Sequence, residues 1–191
     1  MDTVTQIEKW VDSHREAIID HLKHLIRIPS INPWFSDYEE YTTEKEVQEF
    51  LAKSLGEMGF RVKLWETSAE QLKEYEGYPG YYEGRPMHDR PILYGEYRGQ
   101  GGGRSLLLTG HVDVVKVGEG WTKDPFGGEI VDGRIYGRGA VDMKGGIAAM
   151  IMAAKAVIES GIPLRGDIQI NTVPDEEAGG MGALDYAHRG Y

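Results

Sequence analysis

The sequence predicts an α/β domain, and three observations carry that prediction. Helical patterns alternate with short apolar, strand-like runs after residue 40. Several of those runs lead directly into acidic residues or a histidine, the place where ligands gather in open α/β sheets. At 191 residues, 40% hydrophobic and 27% charged, the chain is long enough for one full core and too apolar to stay disordered. No internal repeat or domain-scale linker interrupts it, so one domain is expected.

Residues 4–26 read as one helix, with Val4, Ile7, Val11, Ile18, Leu22 and Leu25 on a single stripe. It stops before Pro29-Ser30-Ile31-Asn32-Pro33, a turn segment with two prolines. A second helix, about 43–58, carries Val47, Phe50, Leu51 and Leu55, and Gly59 ends it. Residues 60–66 (FRVKLWE) alternate apolar and charged side chains, as a half-buried strand does. Between 68 and 90 the pattern breaks into a Tyr-, Gly- and Pro-rich stretch that suits an ordered loop. Strands resume at 92–98 and 105–109, joined by the turn 99–103. Residues 129–136 form a hairpin signal around Asp132-Gly133. Residues 143–160 read as a helix apolar around most of its circumference, packed between a sheet and another layer. A strand at 167–173 and a short helix at 181–188 complete the series.

Composition removes several classes of function. A net charge of −10 argues against a nucleic-acid surface, which needs clustered Lys and Arg. The absence of cysteine excludes disulfides and thiolate metal sites, so a metal here must be held by His, Asp and Glu. The N-terminus is charged and amphipathic, and the longest apolar run, 147–154, is far too short to span a membrane. A cytoplasmic protein without a membrane partner is the expectation.

Three motifs carry chemistry. His111 and Asp113 sit two apart at a strand end, a spacing that fits a metal-binding imidazole steadied by a carboxylate. The same spacing suits a buried His–Asp pair with a structural role alone. Asp142 follows Gly137-Arg138-Gly139 and precedes a helix, where it is either a ligand or an N-cap. Its own presence breaks the G-x-G-x-x-G fingerprint, and no Walker-type sequence occurs, so nucleotide binding is not expected. Asp175-Glu176-Glu177 follows an apolar strand directly, which offers one carboxylate for a metal and one for proton transfer. Elsewhere such a run is a solvated loop or a helix start. His21 and His24 are assigned to surface or packing roles, and His14, His88 and His188 have no partner at ligand spacing. Tyr75, Tyr78, Tyr81 and Tyr82 suit either a packed surface loop or a substrate entrance.

Taken in order, Gly110-His111-Val112-Asp113, Gly137 through Gly146 (GRGAVDMKGG) and Asp175-Glu176-Glu177-Ala178-Gly179-Gly180 resemble the co-catalytic zinc amidohydrolases. That family includes acetylornithine deacetylase, succinyl-diaminopimelate desuccinylase, aminoacylase and carboxypeptidase G. Trp121 through Phe126 is similar to the family's W-x-x-x-P-F, and the Tyr-Gly stretch is most similar to the acetylornithine-deacetylase-like branch. The resemblance implies a three-layer α/β/α catalytic domain with a mixed, largely parallel sheet. It implies His111 on one zinc, Glu177 on the other, Asp142 bridging both, Asp113 orienting His111, and Glu176 as the general base. Two zinc ions occupy a complete site, with cobalt or manganese as alternatives. Substrates would be N-acyl amino acids or short peptides. The peptide bond after Asp142 is often cis in the family. An acidic ligand, a C-terminal histidine and a lid domain that supports dimerisation lie beyond Tyr191 in that pattern, so the expectation is an N-terminal portion of such an enzyme. The alternative is a catalytically incomplete module that binds without turning over.

Overall fold

The computed structural model describes residues 2–35 and 43–191. Its first departure from expectation comes early. The helix expected over 4–26 is two helices, α1 (Thr3–Ser13) and α2 (Arg15–Arg27), broken at His14. Ser13 Oγ donates to the Trp10 carbonyl at 2.9 Å, and His14 Nδ1 lies 2.7 Å from the same oxygen. Side chains thus take up a carbonyl the helix would otherwise use. The break lets Trp10 turn inward. Its ring packs with Met152 and Ala156, and its Nε1 donates to Glu159 at 2.9 Å.

The other elements fall within a residue or two of the pattern. They are α3 (Glu44–Glu57), β1 (Arg61–Trp65), β2 (Ile92–Tyr97), β3 (Leu106–His111), β4 (Glu129–Val131), β5 (Arg134–Tyr136), α4 (Lys144–Glu159), β6 (Ile168–Val173) and α5 (Met181–His188). Asp132 and Gly133, at φ 50° and 72°, make the tight turn between β4 and β5.

The main sheet has the order β1-β2-β6-β3. It is mixed: β2 runs antiparallel to β1 and β6, and β3 pairs parallel with β6. Helix α4 makes the crossover between the parallel strands, its apolar circumference explained by neighbours on two sides. It packs on β3 and β6 below and on α2 and α1 above. Leu51 and Leu55 of α3, Ile147 and Ile151 of α4, and Leu93 and Ile170 of the sheet share one core. The opposite face carries Ile92, Tyr94 and Val173 against Tyr186 of α5. Helices therefore cover both faces, and the three-layer α/β/α arrangement holds.

Residues 68–90 are ordered, as expected. Leu72 and Met87 bury against Met181 at the start of α5. Among the described residues, no helix is long and apolar enough to cross a membrane.

Candidate metal centre

Parallel pairing of β3 and β6 sets His111 opposite Val173, so the two strands deliver their carboxyl ends to one place. From β3 the chain continues through Val112-Asp113. From β6 it turns at Pro174 into Asp175-Glu176-Glu177. Asp142 arrives separately, immediately before α4, and its peptide bond to Met143 is cis, as the family resemblance implied. His111, Asp142 and Glu177 each bring one ligand atom within 4.8 Å of the others. His111 Nε2 is 3.0 Å from Asp142 Oδ1 and 3.6 Å from Glu176 Oε2. Asp142 is not the N-cap of α4, since Met143 holds that position.

The electrostatics of this group are one-sided. Burial opposes protonation of His111, yet Asp113, Asp142 and Glu176 outweigh it and push the imidazole up to about 9. Burial also raises Glu177, and Asp113, Asp142 and Glu176 add to that while His111 opposes. Both shifts have one origin, a surplus of carboxylate around a single imidazole in a partly dry space. A divalent cation relieves it. The donors are nitrogen and oxygen without sulfur, a set that fits zinc, cobalt or manganese.

Asp113 is fully buried. Its carboxylate accepts the amide N–H of Glu176 at 3.1 Å, that of Glu177 at 3.0 Å, and Asn32 Nδ2 at 2.7 Å. Burial raises its pKa, but His111, Asn32 and the Glu177 amide overcome this and hold it low. His111 Nδ1 lies 3.0 Å from the main-chain oxygen of Asp113 and 3.5 Å from its Oδ1. Asp113 thus touches His111 and both glutamate amides at once.

Several supporting groups were not expected. Asn32, inside the two-proline turn, bridges Asp113 to Asp175, whose Oδ1 is 3.3 Å from its Nδ2. That turn is laid beside β3's extension by a parallel bridge between Ile31 and Val114. Arg90 donates to both carboxylate oxygens of Glu44 and to Asp175 Oδ1 at 3.2 Å, all fully buried or nearly so. Lys144, which burial pulls down to about 7, donates to the Ile28 carbonyl at 2.6 Å and ties the start of α4 to the end of α2. Their partners lie tens of residues away, so spacing in the sequence carried no signal for them.

The remaining histidines mostly behave as expected. His21 and His24 pack on Phe50, with ring centroids 5.0 and 4.0 Å apart. His88 and His188 do have acidic partners, contrary to expectation, His188 Nδ1 lying 3.3 Å from Glu74 Oε1. His88 lies with Asp89, its neighbour in sequence, and with Glu66, which the fold brings alongside. All three are exposed, and the Lys45 ammonium sits 2.7 Å from Asp89 Oδ1, supplying the positive charge already.

Residues 107–191 match the family model described as Peptidase family M20/M25/M40. The N-formyl-4-amino-5-aminomethyl-2-methylpyrimidine deformylase of Bacillus subtilis (strain 168) is 33% identical over 192 residues, covering 98% of this chain and 39% of that protein. A succinyl-diaminopimelate desuccinylase of Methylocella silvestris is 35% identical over 169 residues, 87% of this chain and 37% of that protein. Human carnosine dipeptidase 1 superposes with a TM-score of 0.83 at 23% identity, over 99% of this chain and 38% of that one, a likeness of fold. The chain spans about two fifths of the length of these relatives. The stretch that resembles peptidase family M20/M25/M40, residues 107–191, is the one that holds His111, Asp113, Asp142, Glu176 and Glu177.

Proposed function

We propose that this chain carries the cation-binding face of a metal-dependent amide hydrolase that removes acyl groups from N-acylated amino acids or related amines. The convergence of His111, Asp142 and Glu177 donors within 4.8 Å carries this reading, with the Glu176 carboxylate at its edge. The names of the relatives, a deformylase and a desuccinylase, favour release of an acyl group from an amine over cleavage of short peptides. An acetylornithine-deacetylase-like preference rests on the Tyr-Gly stretch alone.

His111 and Glu177 would each hold one of two cations, with Asp142 shared between them. Such cations, when bound, polarise a carbonyl and make water acidic enough to attack it at neutral pH. The chain's own residues then divide the work. Glu176, with its side chain 54% exposed, is placed to take a proton from the attacking water and return it to the leaving amine. Asp113 moves no proton, because three N–H bonds keep it ionised. It keeps His111 and the two glutamate amides in fixed relation. A lid domain, dimerisation through it and a cytoplasmic location belong to the same proposal.

Zinc-loaded protein assayed on N-formyl, N-acetyl and N-succinyl amines tests this. Glu176→Ala is expected to keep zinc while turnover falls by at least ~100-fold. His111→Ala and Glu177→Ala are expected to lose zinc. Turnover retained in Glu176→Ala removes Glu176 as the base, and zinc affinity left unchanged by both His111→Ala and Glu177→Ala removes the centre.

A further inference from the structure

We infer that Arg85 is a positioning residue that clamps the Glu176–Glu177 turn from both ends, an inference that rests on the hydrolase reading above. The two glutamates lie on a single short turn, Glu176–Ala178, flanked by residues of positive φ: Asp175 at 70° and Gly179 at 140°. Its backbone bonds are few, Gly179 N–H to Glu176 and Gly180 N–H to Asp175. Such a turn does not by itself fix where two long side chains point.

One planar group touches the residue before the pair and the residue after it. Arg85 Nη2 donates to the Ala178 carbonyl at 2.7 Å, and its Nε lies 3.5 Å from Asp175 Oδ2. The side chain is only 2% exposed. Its guanidinium lies over the Trp34 ring at 4.3 Å and the Tyr82 ring at 4.6 Å. The Tyr82 ring in turn lies so close to Gly179 that no Cβ fits there. Arg90 takes the other oxygen of Asp175 at 3.2 Å. The carboxylate that begins the turn therefore faces a guanidinium at each oxygen, Oδ2 also accepting the Met181 N–H at 3.4 Å, and the carbonyl that ends the turn accepts a hydrogen bond from Arg85.

Arginine suits this position for stated reasons. It donates to the Ala178 carbonyl while its fixed charge faces the Asp175 carboxylate, and it stacks on aromatic faces, although its Nε and Nη1 make no hydrogen bond. Lysine offers a single point charge. Burying a cation is costly, and an apolar side chain would fill the same space without that penalty. What the guanidinium adds is direction at residues 175 and 178. The Tyr-Gly stretch 68–90 thereby acquires a role, since it delivers both Tyr82 and Arg85 behind the glutamates.

Arg85→Met and Arg85→Lys, compared with the native chain, test the clamp. In cation-free Arg85→Met, the amides of Glu176, Glu177 and Gly180 are expected to exchange at least ~10-fold faster while those of β6 keep their protection. Zinc affinity, read by competition with a chromophoric chelator, is expected to fall by roughly 10- to 100-fold, and kcat with it, while KM stays within about threefold. Arg85→Lys should fall between. Native exchange and native zinc affinity in Arg85→Met overturn the clamp. If Arg85→Met loses β6 protection, Arg85→Lys decides: weakened zinc binding with β6 intact supports the clamp, and native affinity overturns it. Loss of β6 protection in both variants makes Arg85 a general folding residue and overturns its positioning role. Glu176→Ala, assayed in parallel, separates the two readings. Turnover retained there removes the base and leaves the exchange result for Arg85 to stand or fall alone.

Discussion

Asp113 has no solvent exposure and three N–H donors, so its charge is held by hydrogen bonds instead of water. Asp113→Asn keeps the volume and turns one acceptor into a donor facing a donor. We expect a loss of about 3 kcal/mol in urea unfolding, from unsatisfied buried groups rather than lost packing. A change below about 0.5 kcal/mol would mean that the turn relaxes freely around it. His21 gives a pH-dependent counterpart. Burial, then the charges of His24 and Lys155, pull it down to about 4, against an ordinary value of 6.5. Above pH 6.5 both folded and unfolded forms are neutral there and nothing is lost. As pH falls from 6.5 to 4 the unfolded chain takes the proton first, and up to about 3 kcal/mol of stability disappears. His21→Leu is expected to flatten that slope, measured as urea midpoints at pH 7 and pH 4.5. At this scale, legibility followed sequence position. His111, Asp113, Asp142, Glu176 and Glu177 stood out because strand ends and glycines framed them. Asn32, Arg85 and Arg90 did not, because Asp175 lies 143 positions from Asn32 and 85 from Arg90.

Among elements, periodicity located strands and helices well, since apolar spacing reports which face is buried. It failed at His14, where a polar capping pattern broke a stripe that looked continuous. It also put Val4 and Val11 on the apolar stripe, although both are exposed, and passed over Trp10, which is buried. Two glycines show how space, not residue type, sets the effect of a substitution. Nothing lies within 4 Å of a Cβ added at Gly56, in the last turn of α3. Gly56→Ala should therefore raise stability by about 0.5–1 kcal/mol through helix propensity alone. A Cβ at Gly182, in α5, would meet the Pro174 carbonyl oxygen at 2.5 Å. Gly182→Ala should cost about 1–3 kcal/mol and push α5 away from the turn that carries the glutamates. Thermal unfolding of the two variants checks both, and equal effects would contradict the packing described.

For the molecule as a whole, the sheet is covered on both faces but, among the described residues, ends at β3 with Leu106 and Leu107 exposed at 55% and 40%. An exposed apolar edge strand invites pairing with another edge. Leu107→Lys is expected to lower concentration-dependent association, read by light scattering across a dilution series, without changing the unfolding free energy by more than about 0.5 kcal/mol. The α/β class was legible because helix and strand alternate, whereas the three layers and the mixed sheet came from the family resemblance. The direction of each pairing was not, because register depends on contacts across the sheet.

The β3–β6 pairing also decides when the centre comes into being. His111 and Val173 become neighbours only after a crossover containing all of α4 has closed, one of the longer-range closures in the sheet. Such closures come late, since the chain gives up entropy before the contacts form. The cluster of His111, Asp142 and Glu177 is therefore a product of folding and not its nucleus. A cation that binds only the finished arrangement should slow unfolding and leave the refolding rate where it was.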